Sequence, residues 1–325
     1  MTETLRTPAL ARRPELVRAV IPYVTLAALY VGTIVVAPGY RAPEQIATLL
    51  QVASLLGIVA IGQTLVILIA GIDLSVGAVV TFTNLITGAI LAGLDVNLPL
   101  ALMASLGAGA AVGLLNGFVI TRLHVPDLVA TLATMTIMIG AGYLVTGGAP
   151  RGAASPGLVS FVTGRLGGFV TGALVLWMLL AAAVVLILSR STLGRRIYAV
   201  GLNREASRYA GVSVPLLTIL LYTISGMTAG LAGFLLTGYT GSSFLNSGAT
   251  YQLASIAAVV LGGASIFGGR GSYVGTIAGV LITVLLQSIL RVIGIPQAGQ
   301  NIAYGVVILL MTFVFTTGFR RRRRG

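Results

Sequence analysis

The 325-residue sequence has no cysteine and no lysine, and it contains a single histidine and seven carboxylates. Without cysteine, a disulfide framework, a zinc-thiolate site, an iron-sulfur cluster and thiol catalysis are all excluded. Without lysine there is no Schiff-base nucleophile and no phosphate-gripping lysine of a Walker A loop, so the chain does not hydrolyse ATP by that route. The histidine, His124, falls in a short loop beside Arg122. The acids Glu3, Glu15, Glu44, Asp73, Asp95, Asp127 and Glu205 are dispersed, with only Asp73 and Asp127 close to the start of an apolar run. No facing pair of the kind a membrane hydrolase or redox enzyme needs can be built from them. A proton- or sodium-coupled carrier is poorly supported for the same reason. An ionisable side chain at the centre of a spanning helix costs about 2.5–3.5 kcal/mol, and this sequence avoids that cost nearly everywhere.

Apolar length is what the sequence has in abundance. Hydrophobic side chains make up 57% of it and charged ones 8%, and the mean hydropathy is +1.02, outside the range of soluble domains. A helix needs about 20 apolar residues to cross roughly 30 Å of hydrocarbon. Runs of that kind fall at 20–37, 46–68, 74–92, 98–120, 126–146, 168–189, 215–238, 252–268, 272–291 and 299–318. The expected fold is an all-α integral membrane protein of about ten transmembrane helices, in which the long stretch 46–92 is divided at 71–75.

Arginine supplies all twenty basic residues and leaves a net charge of +13. With ten spans and both termini inside, sixteen arginines are cytoplasmic: Arg6, Arg12, Arg13, Arg18, Arg122, Arg190, Arg195, Arg196, Arg204, Arg208, Arg270 and the five at 320–324. Arg41, Arg151, Arg165 and Arg291 lie outside. An even number of spans predicts that asymmetry. The charge is therefore read as a topology signal and as attraction to anionic inner-leaflet lipid, with no nucleic-acid role, because base recognition needs an exposed soluble surface. Four arginines before an apolar run imitate a signal peptide, but no small-x-small cleavage site precedes Pro38, so a retained first span is expected. The chain divides into a basic cytoplasmic segment 1–19, a polytopic transmembrane domain 20–318 and an arginine-rich cytoplasmic tail 319–325.

Small residues recur every fourth position at Ser105, Gly109, Gly113 and Gly117, and the same spacing joins Gly226 to Gly230 and Gly275 to Gly279. Such faces let helix backbones approach closely in lipid. Trp177 and the tyrosines form no stacking platform and are expected at the interface or in the core.

Three segments depart from plain hydrophobic spans. In 71–75, glycine breaks the run, and Asp73, assisted by Ser75, can accept hydrogen bonds from amides at the start of the next helix or can shape a translocation gate. In the cytoplasmic loop 190–214, Asn203 is a good helix cap, Glu205 suits the positive first turn and Gly211 can terminate in a left-handed conformation. This predicts a short helix outside the membrane, either lying on its surface or docked in a cleft of a soluble partner. The glycine-rich stretch 262–272 looks superficially like a phosphate loop, but it lacks the lysine and joins two apolar helices, so a packed or flexible cytoplasmic connection is expected.

Through these segments and over residues 46–318, the sequence resembles the membrane permease subunits of bacterial ATP-binding-cassette importers for ribose, xylose, galactose and related sugars. The resemblance implies a type II-like importer fold in the inner membrane and two permease subunits, identical or not, around one path. It also implies a cytoplasmic ATPase, twin-domain or paired, that holds ATP and Mg, and an external solute-binding protein. No cofactor is bound by the chain itself. By the same analogy Asn203, Arg204, Glu205, Ala206, Ser207, Arg208, Tyr209, Ala210 and Gly211 form the helix that couples to the ATPase. From the residues alone, Gln63, Asn84, Asn116 and Gln287 are uncharged polar groups inside spans. They join Asp73 and Ser75 as candidates for the path or gate, against the alternative of interhelical hydrogen bonding. The bottom-up reading of a conduit driven by a partner agrees with the resemblance. An autonomous channel or carrier, or a membrane enzyme, finds no reactive or titratable set to support it.

Overall fold

The computed structural model describes residues 13–150 and 152–322, with side chains described for 20–150 and 152–310. Expectations about residues 1–12, Arg151 and residues 323–325 lie outside that range. The chain is all helical: α1 (Arg13–Val36), α2 (Pro43–Leu68), α3 (Val76–Leu91), α4 (Leu98–Arg122), α5 (Asp127–Thr146), α6 (Pro156–Thr163), α7 (Gly172–Arg190), α8 (Thr192–Leu202), α9 (Arg204–Tyr209), α10 (Val214–Thr240), α11 (Ala249–Leu261), α12 (Tyr273–Val292) and α13 (Gln297–Arg322). By length and composition, α2, α4 with its preceding turn, α5, α7, α10 and α12 can each cross a membrane. Residues 20–36 of α1, together with α3 and α11, are apolar but shorter.

Burial separates the helices into a centre and a periphery. The most apolar window of α2 is 89% buried inside the protein, whereas those of α4, α5 and α7 are 28% buried. A helix that is hydrophobic all round belongs inside a bundle, and the outer helices present their apolar faces outward, as a lipid solvent requires. α2 is surrounded by α7, α10, α11 and α12.

The small-residue patterns find each other. A Cβ on Gly109 would meet the Gly226 carbonyl, one on Gly113 the Tyr222 carbonyl, and one on Gly230 the Ser105 carbonyl. The α4 and α10 backbones are therefore in direct contact along four turns, the close approach that glycine permits in lipid. Gly275 and Gly279 make the same kind of contact between α12 and the Gly262 and Ala258 backbone of α11. Trp177 is a core residue and not an interfacial one. Its Nε1 donates to the Tyr273 hydroxyl (2.8 Å), which donates to the Gly57 carbonyl (2.8 Å), closing α7, α12 and α2 together.

Three local details differ from the sequence expectation. The 190–214 loop contains α8 before the capped helix, and Ser191 caps it by accepting from the Gly194 amide (3.0 Å). The run 252–268 is helical only to Leu261, because Gly262 begins a tight loop whose glycines pack on α12. α6 is too short and too interrupted by flanking glycines to be distinguished in the sequence.

Candidate functional site

The short helix expected at 203–211 is present as α9. Asn203 Oδ1 accepts from the Ala206 amide (2.9 Å), Glu205 sits in the first turn, and Gly211 takes φ +81°. Ser207 is its only buried residue, and Tyr209 is 84% exposed. The outer surface of α9, formed by Glu205, Ala206, Arg208, Tyr209 and Ala210, is thus exposed among the described residues, while its backbone ends are satisfied by the cap and the glycine turn.

All three unusual sequence segments converge beside it. Arg204 Nη2 donates to the Ile69 carbonyl at the end of α2 (3.0 Å). The Gly269 amide donates to the Leu68 carbonyl (2.8 Å), and the Tyr198 hydroxyl of α8 donates to the Gly271 carbonyl (2.9 Å). Burial pushes the Tyr198 hydroxyl above its usual value, so it remains a protonated donor. Gly201 and Leu202 pack directly on Gly268 and Gly269. The carbonyls left over at the end of α2 are therefore taken up by α9 and by the 262–272 loop. The left-handed residue is Ala70, at φ 61°, not Gly71, a conformation that costs about 1–2 kcal/mol in an L-residue. Gly71 instead makes room for the Tyr222 hydroxyl, which would lie 2.8 Å from a Cβ there.

One turn further on, Asp73 is completely buried. Its Oδ1 accepts from the Ser75 amide (3.0 Å) and the Ser75 hydroxyl (2.6 Å), and its Oδ2 accepts from the Ser225 hydroxyl of α10 (2.8 Å). Asn116 Nδ2 of α4 donates to Ser75 Oγ (3.0 Å), and Thr134 of α5 donates to Asn116 Oδ1. Each member is thus satisfied by the next, the condition under which a buried polar network holds its neighbours in one arrangement. Asp127 at the start of α5 accepts from the Ile72 amide (2.7 Å), and the Tyr222 hydroxyl donates to the Ile72 carbonyl (3.4 Å). The segment 68–75 is in consequence bonded to α4, α5, α9, α10 and the 262–272 loop. Asp73 does accept an amide at the start of α3, and its other oxygen reaches α10.

The remaining sequence candidates are distributed elsewhere. Asn84 bonds the Thr237 hydroxyl (2.8 Å) and accepts from the Ser247 hydroxyl (3.0 Å) and the Phe244 amide (3.3 Å), fixing the loop between α10 and α11. Gln63 is fully buried, with no hydrogen-bond partner for either amide atom among the described residues. Gln287 lines a cavity at the opposite end of α10 from the junction. Ser225, Thr134, Tyr222 and Tyr198 were not singled out in the sequence, and Asp127 stood out only by its place near the start of an apolar run. Hydroxyl residues in apolar runs carry no distinguishing pattern, although an acid at the start of α5 is a signal that pairing with the 71–75 break would have used.

A family model described as the permease component of a branched-chain amino acid transport system matches residues 45–316. The ribose import permease protein RbsC of Escherichia coli K12 is 36% identical over 284 residues, covering 85% of this chain and 87% of that protein. RbsC of Bacillus subtilis 168 is also 36% identical, over 89% of this chain and 90% of its own length. The fructose import permease protein FrcC of Rhizobium meliloti is 36% identical over 81% and 75%. No solved structure matches. The apolar helices and the match over nearly the whole membrane region make this a multi-pass inner-membrane protein, and the chain belongs to the family of transport-system permease components.

Proposed function

We propose that the chain is the permease subunit of an ATP-driven importer that carries a monosaccharide across the inner membrane by alternating access. The observation that carries the mechanism is the exposed, doubly capped α9 tied through Arg204 to the end of α2. Movement of α9 by a soluble partner would be delivered to the 68–75 segment, and from there through Asp73, Ser75 and Asn116 to α10, α4 and α5. Packed elements of this kind switch between discrete arrangements and do not deform smoothly. ATP and Mg belong to the cytoplasmic ATPase that grips α9, and an external binding protein delivers the solute. A second permease copy or a homologous subunit completes the path. With ten spans and both termini cytoplasmic, as the arginine distribution favours, α9 and the arginines of the 190–214 loop would face the ATPase. The monosaccharide assignment rests on the relatives, which are named as import permeases for ribose and fructose.

The test is deletion of residues 203–211, or paired reversal by Arg204→Glu and Glu205→Arg, in the assembled transporter. Both are expected to abolish solute uptake and solute-stimulated ATP hydrolysis while membrane insertion persists. Normal uptake by the deletion variant would refute the coupling role. Uptake of an amino acid and of no sugar would refute the substrate class.

A further inference from the structure

At the end of the bundle remote from the junction, the last turns of α10 and α12 meet the first turns of α11 and α13. A cavity of about 140 Å³ lies between them and α2. It is the space of roughly four to five water molecules, suited to one small polyol. Val52 and Leu56 form an apolar wall, and the rest is polar without a single acid. Gln287, Gln297 and Gln300 contribute carboxamides that both donate and accept, Tyr239 and Tyr251 contribute phenols that do the same, and Arg291 contributes a fork of donors. Gln300 is 3% exposed and Tyr251 9% exposed, so part of the lining is held rigidly in the protein.

Much of this hydrogen-bonding capacity is uncommitted. Among the described residues, Arg291 bonds only through Nε, to the Gln287 carbonyl (3.4 Å). Gln300 uses Nε2 on the Ile295 carbonyl (3.3 Å) and Gln297 uses Nε2 on Asn301 Oδ1 (3.1 Å), leaving both carboxamide oxygens, and among the described residues the Tyr239 and Tyr251 hydroxyls have no hydrogen-bond partner. A set of mixed donors and acceptors, one delocalised cation and aromatic faces matches a ring of vicinal hydroxyls, each of which donates and accepts. An ammonium group would find no carboxylate here. The wall also continues inward. Val52, Leu56 and Gln63 are four and seven residues apart on α2, which keeps them on one face. Gln63 is a buried carboxamide with neither atom bonded among the described residues, so both its donor and its acceptor are open to a polar partner.

We infer that this cavity is an external-side subsite for the transported monosaccharide, with Gln287, Arg291 and Gln300 reading its hydroxyls and Gln63 marking the next polar position along α2. The inference rests on the importer reading above. The absence of native cysteine makes the test direct. Gln297→Cys, in the complete transporter, is labelled with a maleimide in the presence of D-ribose, D-fructose, D-galactose, gluconate or L-valine, and uptake of each is measured in parallel. At ten times its Kd the transported sugar should slow labelling about elevenfold, and Gln300→Leu or, independently, Gln287→Ala should remove that protection. A sugar that is taken up but gives no protection would overturn the subsite and leave the importer reading intact. Protection by gluconate or L-valine and by no sugar would overturn the ligand class. Absence of uptake for every sugar would overturn the importer reading and this inference with it.

Discussion

Replacing Gly201 with alanine perturbs the junction and little else. A Cβ at that position would come nearer than 3.0 Å to the Leu68 carbonyl oxygen and to the amide nitrogen and Cα of Gly269. All three are backbone atoms, so no side chain can swing aside. Two of them are the partners of the 2.8 Å bond that ties the 262–272 loop to the end of α2. Separating that bond strands a buried donor and acceptor at about 1–3 kcal/mol each, a cost of about 2–6 kcal/mol before any overpacking. Against a typical total stability of about 5–15 kcal/mol, the chain survives by letting α8 ride away from α2. Even the lower bound shifts the docked arrangement by about thirtyfold, so uptake and solute-stimulated ATP hydrolysis in proteoliposomes should fall by at least an order of magnitude. Basal hydrolysis by the ATPase should persist. Gly32→Ala in α1, where a Cβ meets nothing within 4 Å, is the control and should be neutral or slightly stabilising, by up to about 1 kcal/mol. A Gly201→Ala transporter that couples and melts like its parent would refute the proposition that α8, α2 and the glycine loop act as one piece.

Asp73→Leu leaves the Ser75 amide and the Ser225 hydroxyl without an acceptor, at about 1–3 kcal/mol each, and should lower the melting temperature in detergent. Asp73→Asn can keep both Ser75 bonds through its oxygen and donate its Nδ2 to a rotated Ser225 hydroxyl, so it should melt close to the parent; equal melting of the Leu variant would contradict the network. Asn84→Leu strips two bonds from the α10–α11 connection and one from Thr237 of α10 and should destabilise by about 2–5 kcal/mol, seen as faster proteolysis within 241–248; unchanged cleavage would count against Asn84 as the anchor. Gly226→Val drives a branched side chain into the Gly109 carbonyl and should cost about 3 kcal/mol or more, with loss of monodisperse protein on size-exclusion chromatography. A well-behaved variant would mean that α4 and α10 are not in backbone contact.

The long helices were legible because apolar length is an unambiguous signal in lipid, and the cap at Asn203 and the turn at Gly211 were legible because each obeys a local rule. Gly109 and Gly226 could be recognised as packing residues from their spacing, but that they face each other is a tertiary fact. The Ala70 turn had no signature, since a left-handed alanine follows no sequence rule. α8 was missed because its capping serine follows directly on α7, leaving no gap in the pattern. Of the candidate site, Asp73, Ser75 and Asn116 stood out in the sequence as polar residues at or inside apolar runs, and they share one hydrogen-bond network. Nothing in one dimension could join them to Thr134 and Ser225, which are ordinary hydroxyl residues in apolar runs.

The central position of α2 also sets a schedule for synthesis. Thr64 bonds Thr276, 212 residues later, and Gln51 bonds the Val162 carbonyl, 111 residues later. At about 5–20 residues per second, the first of these partners is made roughly 10–40 s after Thr64 has been translated. For that interval the most enclosed helix of the finished protein stands at the edge of the nascent bundle, its polar groups turned toward lipid or the insertion machinery. Ribosome-bound chains halted before α10 should therefore retain α2 in contact with the translocon, and release it only once α10 to α12 have arrived to surround it.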